Sequence, residues 1–123
     1  MSVPLRIVQR VAAGIAVFEL NGHLVFDEGD RIFRDQVKAF TAAGGRRLLV
    51  DLADVTYVDS GGIGSLVEMY LHLTRRGGTL KVMRPSACAR RVLQITQLDS
   101  VLDVFDDEPH ALQSFAPRAM RAG

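Results

Sequence analysis

Apolar and polar residues alternate along the first part of the chain in a pattern typical of β-strands. Residues 5–11 carry polar side chains at alternating positions, and residues 15–20 form a second such run after a short turn at residues 12–14. Two strands joined so closely are expected to pair as an antiparallel hairpin. Asn21-Gly22 predicts a further turn, because both residue types tolerate positive φ. Residues 23–26 then predict either a short third strand or a continuation of the second strand past a kink.

From Asp27 onward, segments with helical periodicity alternate with short apolar runs. Asp27 itself predicts an N-cap, and Gly44-Gly45 marks the end of the first helix. The continuous apolar run at residues 48–52 is typical of a strand buried on both faces, although Asp51 within it is unexpected unless it lies at the strand's end, near Ser60. The remaining pattern predicts a helix from Ser60 to about Arg76, a strand at residues 79–83, a helix from residue 85, a strand at residues 101–105 and a last helix opening at residues 106–109.

This order of elements predicts an α/β fold in one domain over residues 1–123. The sheet is expected to be mixed, with an antiparallel N-terminal hairpin, later parallel strands and packed α-helices. We expect a core over about residues 5–115 and a frayed tail at residues 116–123. For the helix that starts at Ser60, periodicity predicts a buried face of Ile63, Leu66, Val67, Tyr70 and Leu73. The other face would then carry Ser65, Glu68, Met69, His72 and Arg76.

Composition narrows the possible classes of function. The chain has 15 basic and 14 acidic residues and a net charge of +1, which is not the footprint of a nucleic-acid binder. It lacks a run of 18 apolar residues, so we expect no membrane insertion. One cysteine, Cys88, cannot form an internal disulfide, which fits a cytoplasmic protein. His23 has no second ligand at a metal-site spacing, and we expect neither a metal nor another cofactor.

Candidate chemistry concentrates at Ser60, where a strand-and-loop unit leads into a helix. Ser is a preferred N-cap, and the same position suits a phosphate because free N–H groups and the helix dipole both favour negative charge. Gly61 and Gly62 remove side chains just past the hydroxyl, which would let a large partner such as a kinase approach. A capped helix with a flexible first turn is the simpler interpretation of the same residues.

An enzymatic role for Ser60 has little support in the sequence. A nucleophilic serine needs a histidine general base held by a third group. The histidines are His23, His72 and His110, and His72 would lie roughly 18 Å along the helix from Ser60. The glycines at residues 61–64 do not fit a phosphate-binding loop either. We therefore expect no catalytic residues and no enzyme activity.

Four segments, taken in order, resemble the STAS family of bacterial anti-sigma factor antagonists. The resemblance covers about residues 5 to 115. The matching pieces are Gly22-His23-Leu24, Leu49-Val50-Asp51-Leu52 followed by Val55, Asp59-Ser60-Gly61-Gly62-Ile63-Gly64, and Gly77-Gly78-Thr79-Leu80. Proteins of this family have a mixed sheet with packed helices, and they act as binding modules rather than enzymes.

The resemblance implies a partner-switching cycle centred on Ser60. The unphosphorylated protein would bind a kinase-type anti-sigma factor and free the sigma factor. That serine kinase would phosphorylate Ser60, and the phosphorylated protein would dissociate from it. A phosphatase would then remove the phosphate. Physics favours such a switch, because a phosphoserine adds about −1.5 to −2 charges at neutral pH. Around the acceptor, the expected partner-binding residues are Asp27, Asp59, Gly61, Gly62, Ser65 and Met69.

Two positions depart from the sporulation-type members of the family. An acidic residue usually follows Gly-x-Leu, but Val25 stands there and Asp27 is the nearest acid. A second serine often follows the acceptor, where this chain has Gly61. Some STAS domains are never phosphorylated and serve as scaffolds or as parts of lipid-transport or anion-transport assemblies. A passive interaction module is therefore the alternative function.

Overall fold

The computed structural model describes residues 3–116, which form a five-stranded sheet covered by four helices. In chain order the elements are β1 (Arg6–Ala12), β2 (Ile15–Leu24), α1 (Gly29–Ala42), β3 (Arg47–Val58), α2 (Ser60–Arg75), β4 (Thr79–Met83), α3 (Ala87–Ile95), a 3₁₀ turn (Leu98–Ser100), β5 (Val104–Phe105) and α4 (Glu108–Gln113). The expectation of a frayed tail falls, for residues 117–123, outside the described part.

Strand order in the sheet follows the chain, β1-β2-β3-β4-β5. β1 pairs with β2 antiparallel, and the three remaining pairs are parallel. The two strands of each parallel pair are connected through a helix, because parallel strands cannot be joined by a short turn. The predicted α/β domain with a mixed sheet is therefore confirmed. Within the described residues, no helix is long and apolar enough to cross a membrane.

The sheet separates a large core from a small one. Alternate residues of β3 point to opposite faces, so that Leu48 and Val50 lie in the large core while Leu49 lies in the small core. The large core is covered by α1, α2 and α3, and the small core by α4 through Ala111. This arrangement leaves both ends of α2 at the edges of the large core, where its termini reach solvent.

The turn predicted at Asn21-Gly22 is wrong, because β2 runs unbroken from Ile15 to Leu24. The alternative, continuation past a kink, is confirmed: the pairing of β2 with β3 shifts register on either side of this dipeptide. Gly22 has φ 111°, and a Cβ there would lie 2.4 Å from the carbonyl oxygen of Pro4. The glycine therefore serves a close backbone contact inside a bulged strand.

Two further expectations about element ends are corrected by the backbone. Asp27 is not an N-cap: it has φ 77°, and α1 begins at Gly29 after Glu28, which makes no capping hydrogen bond through its side chain. Asp51 lies inside β3 rather than at its end, because that strand continues to Val58. Its buried carboxylate binds the guanidinium of Arg84 at 3.1 Å and accepts from the N–H of Ala53 at 3.0 Å, which compensates its burial.

Candidate functional site

The start of α2 is set by Asp59 rather than by Ser60. Asp59 has extended backbone angles, and its carboxylate accepts a hydrogen bond from the N–H of Gly62 at 2.9 Å. Asp is as good an N-cap as Ser, and it stands one residue earlier, directly after the end of β3. Ser60 is therefore the first helical residue and not the cap that the sequence predicted. Its hydroxyl is released from capping, and the residue is exposed.

The Asp59 carboxylate also holds the connection between β2 and α1. Both of its oxygens lie 3.1 Å from the backbone nitrogen of Phe26, whose N–H donates to them. One side chain thus joins the loop after β2 to the first turn of α2. Hydrogen bonds to a charged acceptor are stronger than neutral ones, so this link fixes the backbone beside Ser60.

The first turn of α2 leaves backbone donors next to the Ser60 hydroxyl. The N–H of Gly62 is taken by Asp59, and the N–H of Ile63 donates to the Asp59 carbonyl at 3.0 Å. The N–H groups of Ser60 and Gly61 have no partner within residues 3–116. Unused donors at a helix N-terminus attract anions. The position therefore suits a negatively charged group on Ser60.

Gly61 and Gly62 are explained by packing within the chain rather than by access for a partner. A Cβ at Gly62 would lie 1.8 Å from the carbonyl oxygen of Leu24, and one at Gly61 would lie 2.6 Å from the Cβ of Phe26. Both glycines let α2 start against the end of β2 and the loop after it. Gly64 differs, because a Cβ there would meet nothing within 4 Å.

Two residues expected in the partner contact are buried instead. Met69 has 1% of its surface exposed, and so does Ser65, whose hydroxyl donates to the Gly62 carbonyl at 2.8 Å. Gly62 is buried as well. Tyr70 and Val67, assigned to the core face, are only half-buried. Ile63, Leu66 and Leu73 are buried as predicted, but the buried face also includes Gly62, Ser65 and Met69. The helix is therefore turned slightly from the predicted orientation, and these last three residues offer no surface to a partner.

The exposed surface around Ser60 comes from the loop after β2. Asp27 is exposed, and Phe26 has 70% of its surface exposed although its backbone is anchored by Asp59. Sequence reasoning assigned Phe26 to a strand and missed this feature. The available signal was a bulky apolar residue just before the acidic start of a helix, where strand patterning has already ended.

The side chains that would support catalysis at Ser60 lie in other interactions. Nδ1 of His23 accepts from the N–H of Val3, His72 contacts the Thr41 hydroxyl, and His110 contacts Asp107. In the part of the chain that the structure describes, no group of three or more histidine, cysteine or acidic side chains is arranged to hold a metal ion. What the site presents is an exposed hydroxyl, spare N–H donors and an anchored aromatic ring.

Known proteins similar to this chain include bacterial regulators of about the same length. A candidate anti-sigma factor antagonist of Thermotoga neapolitana is 30% identical over 122 residues, which covers 94% of this chain and 98% of the relative. The anti-sigma F factor antagonist of Paenibacillus polymyxa is 22% identical over 99 residues, covering 80% of this chain and 85% of the relative.

Solved structures show the same fold. The anti-sigma factor antagonist SpoIIAA in its unphosphorylated form superimposes with a TM-score of 0.72 at 18% identity, covering 89% of this chain and 95% of that one. The phosphorylated form of this Bacillus cell fate determinant gives 0.67 at 18% identity, covering 91% and 99%. The STAS domain model matches residues 6–111. With its mixed sheet and its serine at the start of α2, this chain belongs to the STAS domain family.

Proposed function

We propose that this protein is an anti-sigma factor antagonist whose state is set by phosphorylation of Ser60. The unphosphorylated form binds a kinase-type anti-sigma factor and so frees a sigma factor. That kinase then transfers a phosphate to Ser60 and releases the antagonist, and a phosphatase restores the hydroxyl. The supporting observation is the exposed Ser60 hydroxyl at the first position of α2, in a chain of this family. The cytoplasmic location expected from the sequence belongs to this proposal.

Local electrostatics explain how a phosphate changes binding without refolding the domain. The spare N–H groups of Ser60 and Gly61, together with the helix dipole, accommodate the added charge of about −1.5 to −2. The neighbouring carboxylate of Asp59 repels it, and a partner that packs against this surface must desolvate it. Because Asp59 already binds the N–H groups of Gly62 and Phe26, the backbone around the phosphate stays in place.

The proposed contact surface consists of Ser60, Gly61, Asp59, Asp27 and Phe26. Phe26 is its apolar anchor, because an exposed aromatic ring on a fixed backbone loses little conformational freedom when a partner covers it. Gly62, Ser65 and Met69 are left out because they are buried.

The test uses purified kinase-type anti-sigma factors from the organism that encodes this chain. Incubation of each with ATP and the antagonist should add one phosphate, which mass spectrometry of peptides should assign to Ser60. Titration of each kinase with the two forms should then give a weaker affinity for the phosphorylated one. Ser60→Ala should bind and resist release, while Ser100→Ala, at a second exposed serine in the 3₁₀ turn, should behave as the unmodified chain.

Two outcomes would decide against this function. Equal affinities for the phosphorylated and unphosphorylated forms would leave a passive interaction module as the better assignment. A phosphate that still appears in Ser60→Ala would move the acceptor to another residue. Purified protein should also show no turnover of ester, peptide or nucleotide substrates, and any activity lost in Ser60→Ala would contradict the proposal.

The role of Phe26 has its own variant. Phe26→Ala should lower the affinity for the kinase by about tenfold or more, as truncation of an aromatic anchor commonly does. Ile95→Ala is the matched control, because Ile95 is 71% exposed but lies at the far end of α3. Isothermal titration measures both. Equal losses in the two variants would mean that Phe26 is not the anchor.

A further inference from the structure

Three connections meet at the end of the domain where the parallel strands begin. They are the turn between β1 and β2, the loop between α1 and β3, and the loop between α2 and β4. The N–H of Thr79 donates to the Arg46 carbonyl at 2.7 Å, and a Cβ at Gly78 would lie 2.4 Å from the same oxygen. Gly14 and Gly45 line one groove together. The fold thus assembles one continuous surface from three separate segments.

This surface is basic, and its backbone is rich in small residues. Its segments are Val-Ala-Ala-Gly at residues 11–14, Ala-Ala-Gly-Gly-Arg-Arg at 42–47 and Arg-Arg-Gly-Gly at 75–78, with no acidic residue in any of them. We call this surface the basic end, after its five exposed cations, Lys38, Arg46, Arg47, Arg75 and Arg76. Without these five residues, the chain has ten basic and fourteen acidic residues, so the rest of the protein is net acidic.

The cations of the basic end are not neutralised by the protein. Several arginines elsewhere, such as Arg10, Arg84 and Arg90, form ion pairs. None of the five cations of the basic end has an acidic partner among residues 3–116. A helix C-terminus attracts cations, which accounts for the pair at the end of α2. It does not account for the second arginine pair, which precedes and opens β3.

Cations of the basic end also lie close enough to act on a neighbouring histidine. His72 lies in the last turn of α2, and burial first, then Arg76, Lys38 and Arg75, lowers its pKa. Cations from two helices therefore act on one imidazole ring. Such a concentration of like charge is unfavourable for the isolated domain, and an anionic ligand relieves it.

An apolar groove lies directly beside two of the arginines. Val11, Ala16 and Phe40 line this groove of about 340 Å³, and Arg46 and Arg47 line it as well. Val11 has 74% of its surface exposed. Cations around an exposed apolar residue match the phosphates and the upper acyl region of an anionic bilayer. A single-stranded nucleic acid would instead favour an exposed aromatic platform, and Phe40 is half-buried.

We propose that the basic end binds the surface of a bilayer that contains anionic phospholipids. The arginines contact lipid phosphates, the glycine-rich loops let the bilayer approach, and Val11 enters the interface without any segment spanning it. Ser60 lies at the other end of α2, whose 16 residues span about 24 Å. A chain bound in this way presents its phosphorylation surface away from the membrane. This inference does not rest on the function proposed for Ser60.

Vesicle sedimentation tests the proposal with the full chain. Vesicles of phosphatidylcholine with about 30% phosphatidylglycerol should carry the protein down at about 0.1 M salt, and pure phosphatidylcholine vesicles should not. Raising the salt to about 0.5 M should release it, because screening shortens the reach of the charges. Arg75→Gln/Arg76→Gln and, separately, Arg46→Gln/Arg47→Gln should each weaken binding by roughly fivefold per charge removed. The quadruple variant should stay in the supernatant.

The matched control is Arg31→Gln/Arg91→Gln, which removes the same charge from two exposed arginines outside the basic end. It should bind anionic vesicles as the unmodified chain does, and thermal unfolding should show that all variants are folded. A control that loses as much binding as the Arg75/Arg76 pair would overturn the proposal. Binding to polyglutamate but not to vesicles would overturn it in favour of an acidic protein partner.

Discussion

The glycines after Ser60 show how one missing Cβ sets the geometry of the site. Gly62→Ala would place a Cβ 1.8 Å from the backbone oxygen of Leu24, which no side-chain rotation can relieve. Because the start of α2 must then move away from β2, we expect a loss of about 1–3 kcal/mol in the free energy of unfolding. Chemical denaturation measures this loss. An unchanged midpoint would show that the close approach of α2 to β2 is not required.

Gly64→Ala is the control, two residues further along the same helix. A Cβ there meets nothing within 4 Å. Alanine stabilises a helix interior relative to glycine, so we expect a gain of about 0.5–1 kcal/mol. Opposite signs for the two substitutions would separate the packing of Gly62 from the general effect of removing a glycine.

A second residue-level prediction concerns His72 and acid. The Thr41 hydroxyl donates to the Lys38 carbonyl at 3.1 Å, so it accepts from Nε2–H of His72, 2.8 Å away. Burial, followed by the nearby cations, lowers the pKa of His72 below 6.5 in the folded state. As pH falls through 6.5, His72 binds a proton in the unfolded chain but stays neutral in the folded one. Stability should therefore decrease below that pH until His72 protonates in the folded state too.

The measurement is the free energy of unfolding at pH values from about 7.5 to about 5.5, on either side of the unfolded pKa. His72→Gln should remove part of the slope in this range. If the slope is the same in His72→Gln and in the unmodified chain, protonation of His72 does not limit stability in acid.

At the scale of the element, the orientation of α2 decides which of its residues can reach a partner. The buried positions Gly62, Leu66, Met69 and Leu73 follow helical spacing and face the large core. Met69→Ala should therefore cost about 2–5 kcal/mol of stability, as other large-to-small core substitutions do. Leu71→Ala, at a position with 40% exposure, should change stability by about 0.5 kcal/mol or less. Thermal or chemical unfolding measures both, and equal costs would mean that the face is misassigned.

The same helix shows which features of the fold can be predicted from sequence patterns and which cannot. Apolar periodicity predicted α2 and the strands on either side of it, because alternation and 3.6-residue spacing are local properties. It correctly placed Ile63, Leu66 and Leu73 on the buried face. It missed Gly62 and Ser65, which lie on that face without apolar side chains, and it added Val67 and Tyr70, which are apolar but half-buried. The predicted and observed orientations therefore differ. The core contacts that decide between the two orientations come from distant strands, so spacing within the helix cannot resolve them.

The predictions of the helix cap and of the turn were wrong for a related reason. Asp59 and Ser60 are both good caps, and only the length of β3 decides that Asp59 is used. Asn21-Gly22 favours a hairpin turn locally, but pairing with β3 keeps it extended. The role of Phe26 was also hidden, because it depends on a hydrogen bond to a carboxylate 33 residues away. The position of Ser60 at the start of α2 was predicted correctly, because the transition from strand to helix is visible in the local sequence.

At the scale of the whole molecule, α2 separates two surfaces of different character. Its N-terminus carries Ser60 and follows Asp59, whose carboxylate binds the N–H of Phe26 next to Asp27. Its C-terminus lies in the basic end. The helix spans about 24 Å, which is about three times the Debye length of about 8 Å at physiological salt. Charges at one end are therefore screened from the other.

This separation predicts that the two proposed activities are independent. Ser60→Asp should leave binding to anionic vesicles unchanged within about twofold, and Arg75→Gln/Arg76→Gln should leave kinase affinity and Ser60 phosphorylation unchanged, because screening leaves little coupling over this distance. The double-mutant cycle across both assays should close without an interaction energy, as distant sites usually do. A chain already bound to vesicles should also be phosphorylated as fast as the free chain. Slower phosphorylation on vesicles would show that the membrane covers the Ser60 surface, and the orientation proposed for the basic end would then be wrong.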